Sequence, residues 1–126
     1  MRVTVGLICV GVLLSTVGTA NAEILTVSNM LIAYDKAAPG SYDRSVIELT
    51  FSQEEDGIGW ANAAIVSERH EPPLYCLPPN LVLTGYQIVD MLRRGMKDNS
   101  VVGGVPYGFG ILLVVKKTFP CTKSPK

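Results

Sequence analysis

The sequence predicts an all-α domain: a small bundle of about four helices, with one disulfide closing the last helical hairpin. Three observations predict it. Apolar residues recur at spacings of three and four along most of the chain after residue 22. Thr84 and Gln87 stand at capping-box spacing ahead of one such stripe. Cys76 precedes the third stripe and Cys121 follows the fourth. With 126 residues the chain is one domain's worth, and it holds neither an internal repeat nor a low-complexity linker.

Residues 1–22 read as an export signal rather than as part of that bundle. Arg2 is their only charge, an apolar run extends from Val5 to Leu14, and Ala20-Asn21-Ala22 supplies the small-x-small pattern of a signal-peptidase site. A membrane span needs about 20 apolar residues, and this run breaks earlier, at Ser15 and Thr16; an uncleaved anchor is the alternative. Bulky Ile8 argues against a lipoprotein signal ending at Cys9. Cleavage after Ala22 is expected, leaving a domain over 23–126 with no membrane association. Of the three cysteines, Cys9 departs with the signal. The remaining pair, in an oxidising compartment, reads as a Cys76–Cys121 bond contributing about 4 kcal/mol in the chain-entropy description of a loop of this size.

The first helix is expected from about Thr26 to Lys36, capped by Thr26 or Ser28, with Met30, Leu31 and Tyr34 on one face and Pro39-Gly40 ending it. The second is expected from about Ser41 to Val66, with Ser41 as cap and Asp43 at its positive end. Its repeat of Val46, Leu49, Thr50, Gln53, Gly57, Trp60, Ala61 and Ala64 places Trp60 in the core. Gly57 and Gly59 each cost about 1 kcal/mol relative to Ala and read as marks of close packing or a kink. Glu54-Glu55-Asp56 reads as a solvated face, and Glu71-Pro72-Pro73 closes the region. The third helix runs from Thr84 to about Lys97, with Ile88, Met91, Leu92 and Met96 as its apolar stripe and Arg93 and Arg94 off it. The fourth follows Pro106 with Phe109, Leu112, Leu113 and Lys116 at helical spacing. The continuous Ile111–Val115 run and four nearby glycines also suit a strand, but helix is favoured. A Cys76–Cys121 bond suits an antiparallel final pair.

Several chemistries find no support in the residues. Eleven basic and eleven acidic residues give zero net charge, unlike the basic excess of a nucleic-acid binder. His70, the single histidine, stands near Cys76, but a disulfide cysteine cannot act as a nucleophile. His70 with Glu68 and Glu71 is a polar loop rather than a metal site. There is no phosphate-binding loop and no nucleophile elbow. Three consecutive acids on a helix point in different directions and do not form a carboxylate pair. No cofactor, metal or catalytic residue is implied, and an enzyme is not expected.

The second half carries a longer pattern: Pro72-Pro73-Leu74-Tyr75-Cys76-Leu77-Pro78-Pro79, Leu83-Thr84-Gly85-x-Gln87-Ile88-Val89-Asp90, Leu92-Arg93-Arg94 and a closing Phe119-Pro120-Cys121. It resembles the Rap/Tai-type immunity proteins of type VI secretion systems. Asp56-Gly57, Trp60-Ala61-Asn62-Ala63 and Thr26–Leu31 are similar to the family's upstream segments. The likeness covers most of the chain after residue 22 and is specific from Pro72 to Cys121. It departs where the family carries a second cysteine pair joining its first two helices. Tyr34 and about Ile47 stand there instead, so that pairing is expected to rest on packing. The family's glycine and tyrosine before Asp-Gly are also absent, near Leu49 and Thr50.

The resemblance implies a periplasmic protein, often homodimeric, that binds a cell-wall-degrading amidase delivered by a neighbouring cell and blocks its active site. The implied work is surface complementarity, about 800 Å² or more per partner. Candidate contacts are Tyr75, Leu77 and Asn80 near the disulfide, and Tyr42, Asp43 and Arg44 at the start of the second helix. The competing reading is a periplasmic acid-stress chaperone, which would expose apolar surface on acidification. Cys76→Ser is expected to lower stability by about 2–5 kcal/mol, read from denaturant melts, while the unreduced wild type titrates with no free thiol.

Overall fold

The computed structural model describes residues 24–121; the expected export signal over 1–22 and the expected cleavage after Ala22 lie outside the described residues. Within that span the chain forms α1 (Val27–Lys36), α2 (Tyr42–Arg69), α3 (Gly85–Lys97) and α4 (Tyr107–Thr118). Thr26 caps α1 by accepting from the Asn29 amide at 3.2 Å. Ser41 does the same for α2 with the Arg44 amide at 3.2 Å. The capping box at α3 is complete: the Gln87 amide donates to the Thr84 hydroxyl at 3.3 Å, and the Thr84 amide donates to the Gln87 side chain at 2.9 Å.

Pro106 begins α4 without a side-chain cap, so the orphan amides of that turn need another acceptor. The chain before α1 supplies it: the Tyr107 amide donates to the Leu25 carbonyl at 3.0 Å. In return, the Val27 and Ser28 amides donate to the carbonyls of Val105 and Gly103, at 3.0 and 2.9 Å. The beginnings of α1 and α4 thus cap one another. This tie, and the packing of Ile111, Val114 and Val115 at full burial, settle 107–118 as helix.

The core collects Val27, Met30, Leu31 and Tyr34 from α1, Phe51 from α2, Ile88, Val89, Met91 and Leu92 from α3, and Ile111, Val114 and Val115 from α4. Leu83 and Val101 enter from the connections. The stripes expected on α1 and α3 are therefore the buried ones. On α2 the buried face is different: Phe51 and Glu55 are inside, Ile47 and Ile58 are partly covered, and Val46, Leu49 and Trp60 are exposed. Trp60, expected in the core, is 78% exposed. Two apolar stripes share α2, and the other helices pack on the one carrying Phe51. On α4, likewise, Gly110 and its neighbours Ile111, Val114 and Val115 are buried while Phe109 is half exposed.

The glycines of close approach also lie elsewhere than expected. Gly57 faces open space, and Gly59 would meet only the Tyr75 hydroxyl at 3.6 Å. The tight places include Gly85, whose Cβ would collide with the Glu48 backbone carbonyl, and Gly110, whose Cβ would collide with Val27; Gly95, Gly103 and Gly108 are crowded by side chains. Gly110 and Val114 of α4 lie against Leu92 and Gly95 of α3, and Lys117 reaches Asp98, while Thr118 and Phe119 at the end of α4 stand beside Leu83, Tyr86 and Gln87 at the start of α3. The disulfide joins Cys76 to Cys121 with Cα atoms 4.9 Å apart, beside a Cys76 N–H to Phe119 carbonyl bond of 2.9 Å.

Gly85→Ala is expected to lose about 1–3 kcal/mol, because backbone must shift to admit the methyl group. Gly57→Ala, in open space on a helix, is expected to gain up to about 1 kcal/mol. Urea melts of the two variants should move in opposite directions.

Candidate protein-binding site

Residues 70–84 connect α2 to α3 without helix or strand, long for a structureless loop in a small domain. His70, left-handed at φ 55°, turns the chain off the end of α2. Asn62 on α2 then holds the loop from both sides: its amide donates to the Tyr75 carbonyl at 2.9 Å, and its carbonyl oxygen accepts from the Leu74 amide at 2.6 Å. The disulfide fixes the next residue to the end of α4. A turn follows, with the Leu81 amide on the Pro78 carbonyl at 3.1 Å and Asn80 left-handed at φ 65°.

These anchors decide which side chains reach solvent. Tyr75 is 2% exposed and packs inward, so it holds the loop down rather than offering surface to a partner. Leu77 is half-buried and Asn80 is exposed. Val82, beside them, is 75% exposed. Across a shallow groove stand Trp60 and Ala63 of α2, with Glu55 and Asp56 at its edge. Sequence reasoning missed Trp60, Val82 and Glu55 here. The signal available was the second apolar stripe on α2, which spacing alone does not separate from the buried one.

Glu55 is 4% exposed, where a solvated face was expected. Burial, and then the Asp56 charge, hold its carboxyl above the ordinary range, while the nearby Tyr75 hydroxyl partly offsets this. Tyr75 in turn is pushed up to about 12, by burial first and the Glu55 charge second. The hydroxyl lies near the carboxyl but has no hydrogen-bond partner of normal geometry.

The second group of candidates is far from the first. Tyr42 and Trp60 are separated by about 27 Å along α2 at the helical rise. Tyr42 is 82% exposed and Asp43 is exposed. Arg44 is engaged internally: its guanidinium lies 4.0 Å from the centre of the Tyr34 ring and donates to the Ala37 carbonyl at 3.4 Å. The Tyr34 hydroxyl donates to Glu48 at 2.8 Å. This clasp adds a hydrogen bond and a cation–π contact to the packing expected between α1 and α2. The ends of α3 and α4 are joined by Asp98 and Lys117. That ammonium and Ser100 bring the Asp98 carboxyl down to about 2.

Comparisons with family models, curated proteins and solved structures return no match. Among the described residues, no group of three His, Cys, Asp or Glu is placed to hold a metal ion. No helix among them is long and apolar enough to cross a membrane.

Because folding raises the Glu55 pKa, the folded state keeps a proton that the unfolded chain has lost. Stability linked to Glu55 is therefore greatest below the ordinary carboxyl range and falls as pH rises through it. Glu55→Gln is expected to flatten that slope. Thermal melts of the two proteins should converge near pH 4 and separate toward pH 7, the variant being the more stable there.

Proposed function

We propose that the chain is an exported, periplasmic immunity protein of the Rap/Tai type that binds a peptidoglycan-degrading amidase and blocks its active site. The observation that carries this reading is the tethered loop. Fifteen residues without helix are costly to order, yet 70–84 are held by a disulfide, by Asn62 and by a buried tyrosine. A rigid loop that projects Leu77, Asn80 and Val82 is suited to entering a partner's cleft, since little ordering remains to be done on binding. The Pro72–Cys121 pattern that resembles the family contains most of this loop together with its disulfide and its buried tyrosine. The reading of residues 1–22 as an export signal supports this, because export would bring the protein to the compartment where a cell-wall hydrolase acts.

Leu77 and Asn80 are the loop contacts, and Val82 joins them. Tyr42 and Asp43, at the distant end of α2, belong to this surface only if the partner spans the helix. Tagged protein recovered from the periplasm is expected to hold a cell-wall amidase at one-to-one stoichiometry. Mixing the two should stop peptidoglycan hydrolysis. Replacing Leu77 and Asn80 together by Ala is expected to weaken inhibition about tenfold or more, or about 1.4 kcal/mol, with the fold confirmed by circular dichroism, because half-buried Leu77 also packs on the core and its loss lowers the melting temperature. An unaffected amidase, or a double variant as potent as wild type, would sink the reading or its surface respectively.

A further inference from the structure

Glu55 combines two properties that do not sit together by chance. It is 4% exposed, and it lines the groove between α2 and the 77–82 turn. Among the described residues it enters no ion pair. A carboxylate desolvated against apolar walls is unfavourable without a counter-charge. Beneath Gly59, also on the groove, lies the Tyr75 hydroxyl, itself 2% exposed and without a hydrogen-bond partner. The Glu55 carboxyl thus lines the groove without a counter-charge, and the Tyr75 hydroxyl lies behind it.

The rest of the groove fits a ligand with an apolar stem and a cationic head. Leu77, Leu81 and Val82 form one wall. Trp60 stands at the rim, 78% exposed, and an indole face is the best aromatic platform for a cation. Asp56 adds a second negative charge. Lysine and arginine side chains have this construction, a methylene stem that packs on apolar surface and a charged end.

We propose that this groove receives one lysine or arginine side chain of a protein partner, its stem between Trp60 and the Leu77–Val82 wall and its head on Glu55. Charge complementarity selects that occupant: an apolar insertion would cover Glu55 and leave its carboxylate without a counter-charge. The Glu55 pKa, raised by burial in the free protein, is relieved when the cation arrives. The groove accepts such a side chain whether or not the partner is an amidase.

Trp60 is the only tryptophan, so its emission and indole N–H resonance report on the groove directly. The purified protein is titrated with blocked Gly-Lys-Gly and Gly-Arg-Gly tripeptides, and with their neutral norleucine and citrulline counterparts. The cationic peptides are expected to give saturable shifts with a Kd of about 1–10 mM, the neutral ones at least tenfold weaker. Glu55→Gln, checked for fold by circular dichroism, is expected to weaken the cationic peptides about tenfold. Ala63→Lys, on the exposed groove wall, offers a tethered ammonium and is expected to abolish their binding without touching a buried residue. Norleucine binding as tight as lysine, unchanged binding in both variants, or no saturable shift up to about 50 mM overturns the proposal. Amidase inhibition does not enter the measurement, so its success or failure is read separately.

Discussion

The bundle depends on how closely α3 lies on α2. At Gly85 the first turn of α3 rests against the Glu48 backbone carbonyl, at a distance no side chain would permit. That approach brings Ile88 and Leu92 into the space beside Phe51, and the three are wholly buried. It also fixes which face of α2 is internal. Once Glu48 faces α3 and Phe51 lies in the core, Val46, Leu49 and Trp60 must turn outward, because they stand on another stripe of the same helix. The groove, the loop that borders it and the buried carboxylate within it all follow from the rotation of α2 set at this contact.

The two ends of α2 are secured by different physics. Near Tyr42 the clasp of Tyr34, Arg44 and Glu48 is polar and aromatic, a set of short-range contacts at a half-buried surface. Near Asn62 the loop is held by backbone-directed hydrogen bonds and a covalent bond. The first arrangement joins one helix to another and tolerates small movements. The second determines the path of a segment with no secondary structure of its own, and therefore has to fix individual residues.

The local features were the legible ones. The capping box at Thr84 and Gln87, the cap residues Thr26 and Ser41, the stripes of α1 and α3 and the cysteine pairing could all be read from spacing, because each involves neighbours in sequence or a single available partner. The buried face of α2 could not. Val46, Leu49 and Trp60 repeat as regularly as Ile47, Phe51 and Ile58, and only the tertiary contact at Gly85 chooses between them. Glu55 was hidden for the same reason: within a run of three acids nothing local marks the one that turns inward. Of the candidate contacts, Asn80 is exposed and Leu77 half-buried on the loop, as their places beside a cysteine in a loop led one to expect. Tyr75 was misplaced because a tyrosine beside a cysteine reads the same whether its ring points out or in.

The mutual capping of α1 and α4 bears on the order in which the molecule assembles. A ten-residue helix such as α1 is shorter than the length that persists alone in water. Its first two amides, of Val27 and Ser28, find their acceptors at Val105 and Gly103, near the other end of the described chain. Early formation of α1 is thus disfavoured, and its completion waits on a pairing that spans most of the sequence. Such a non-local closure slows the search for the native state while making it all-or-none: the first helix and the last become stable in the same event.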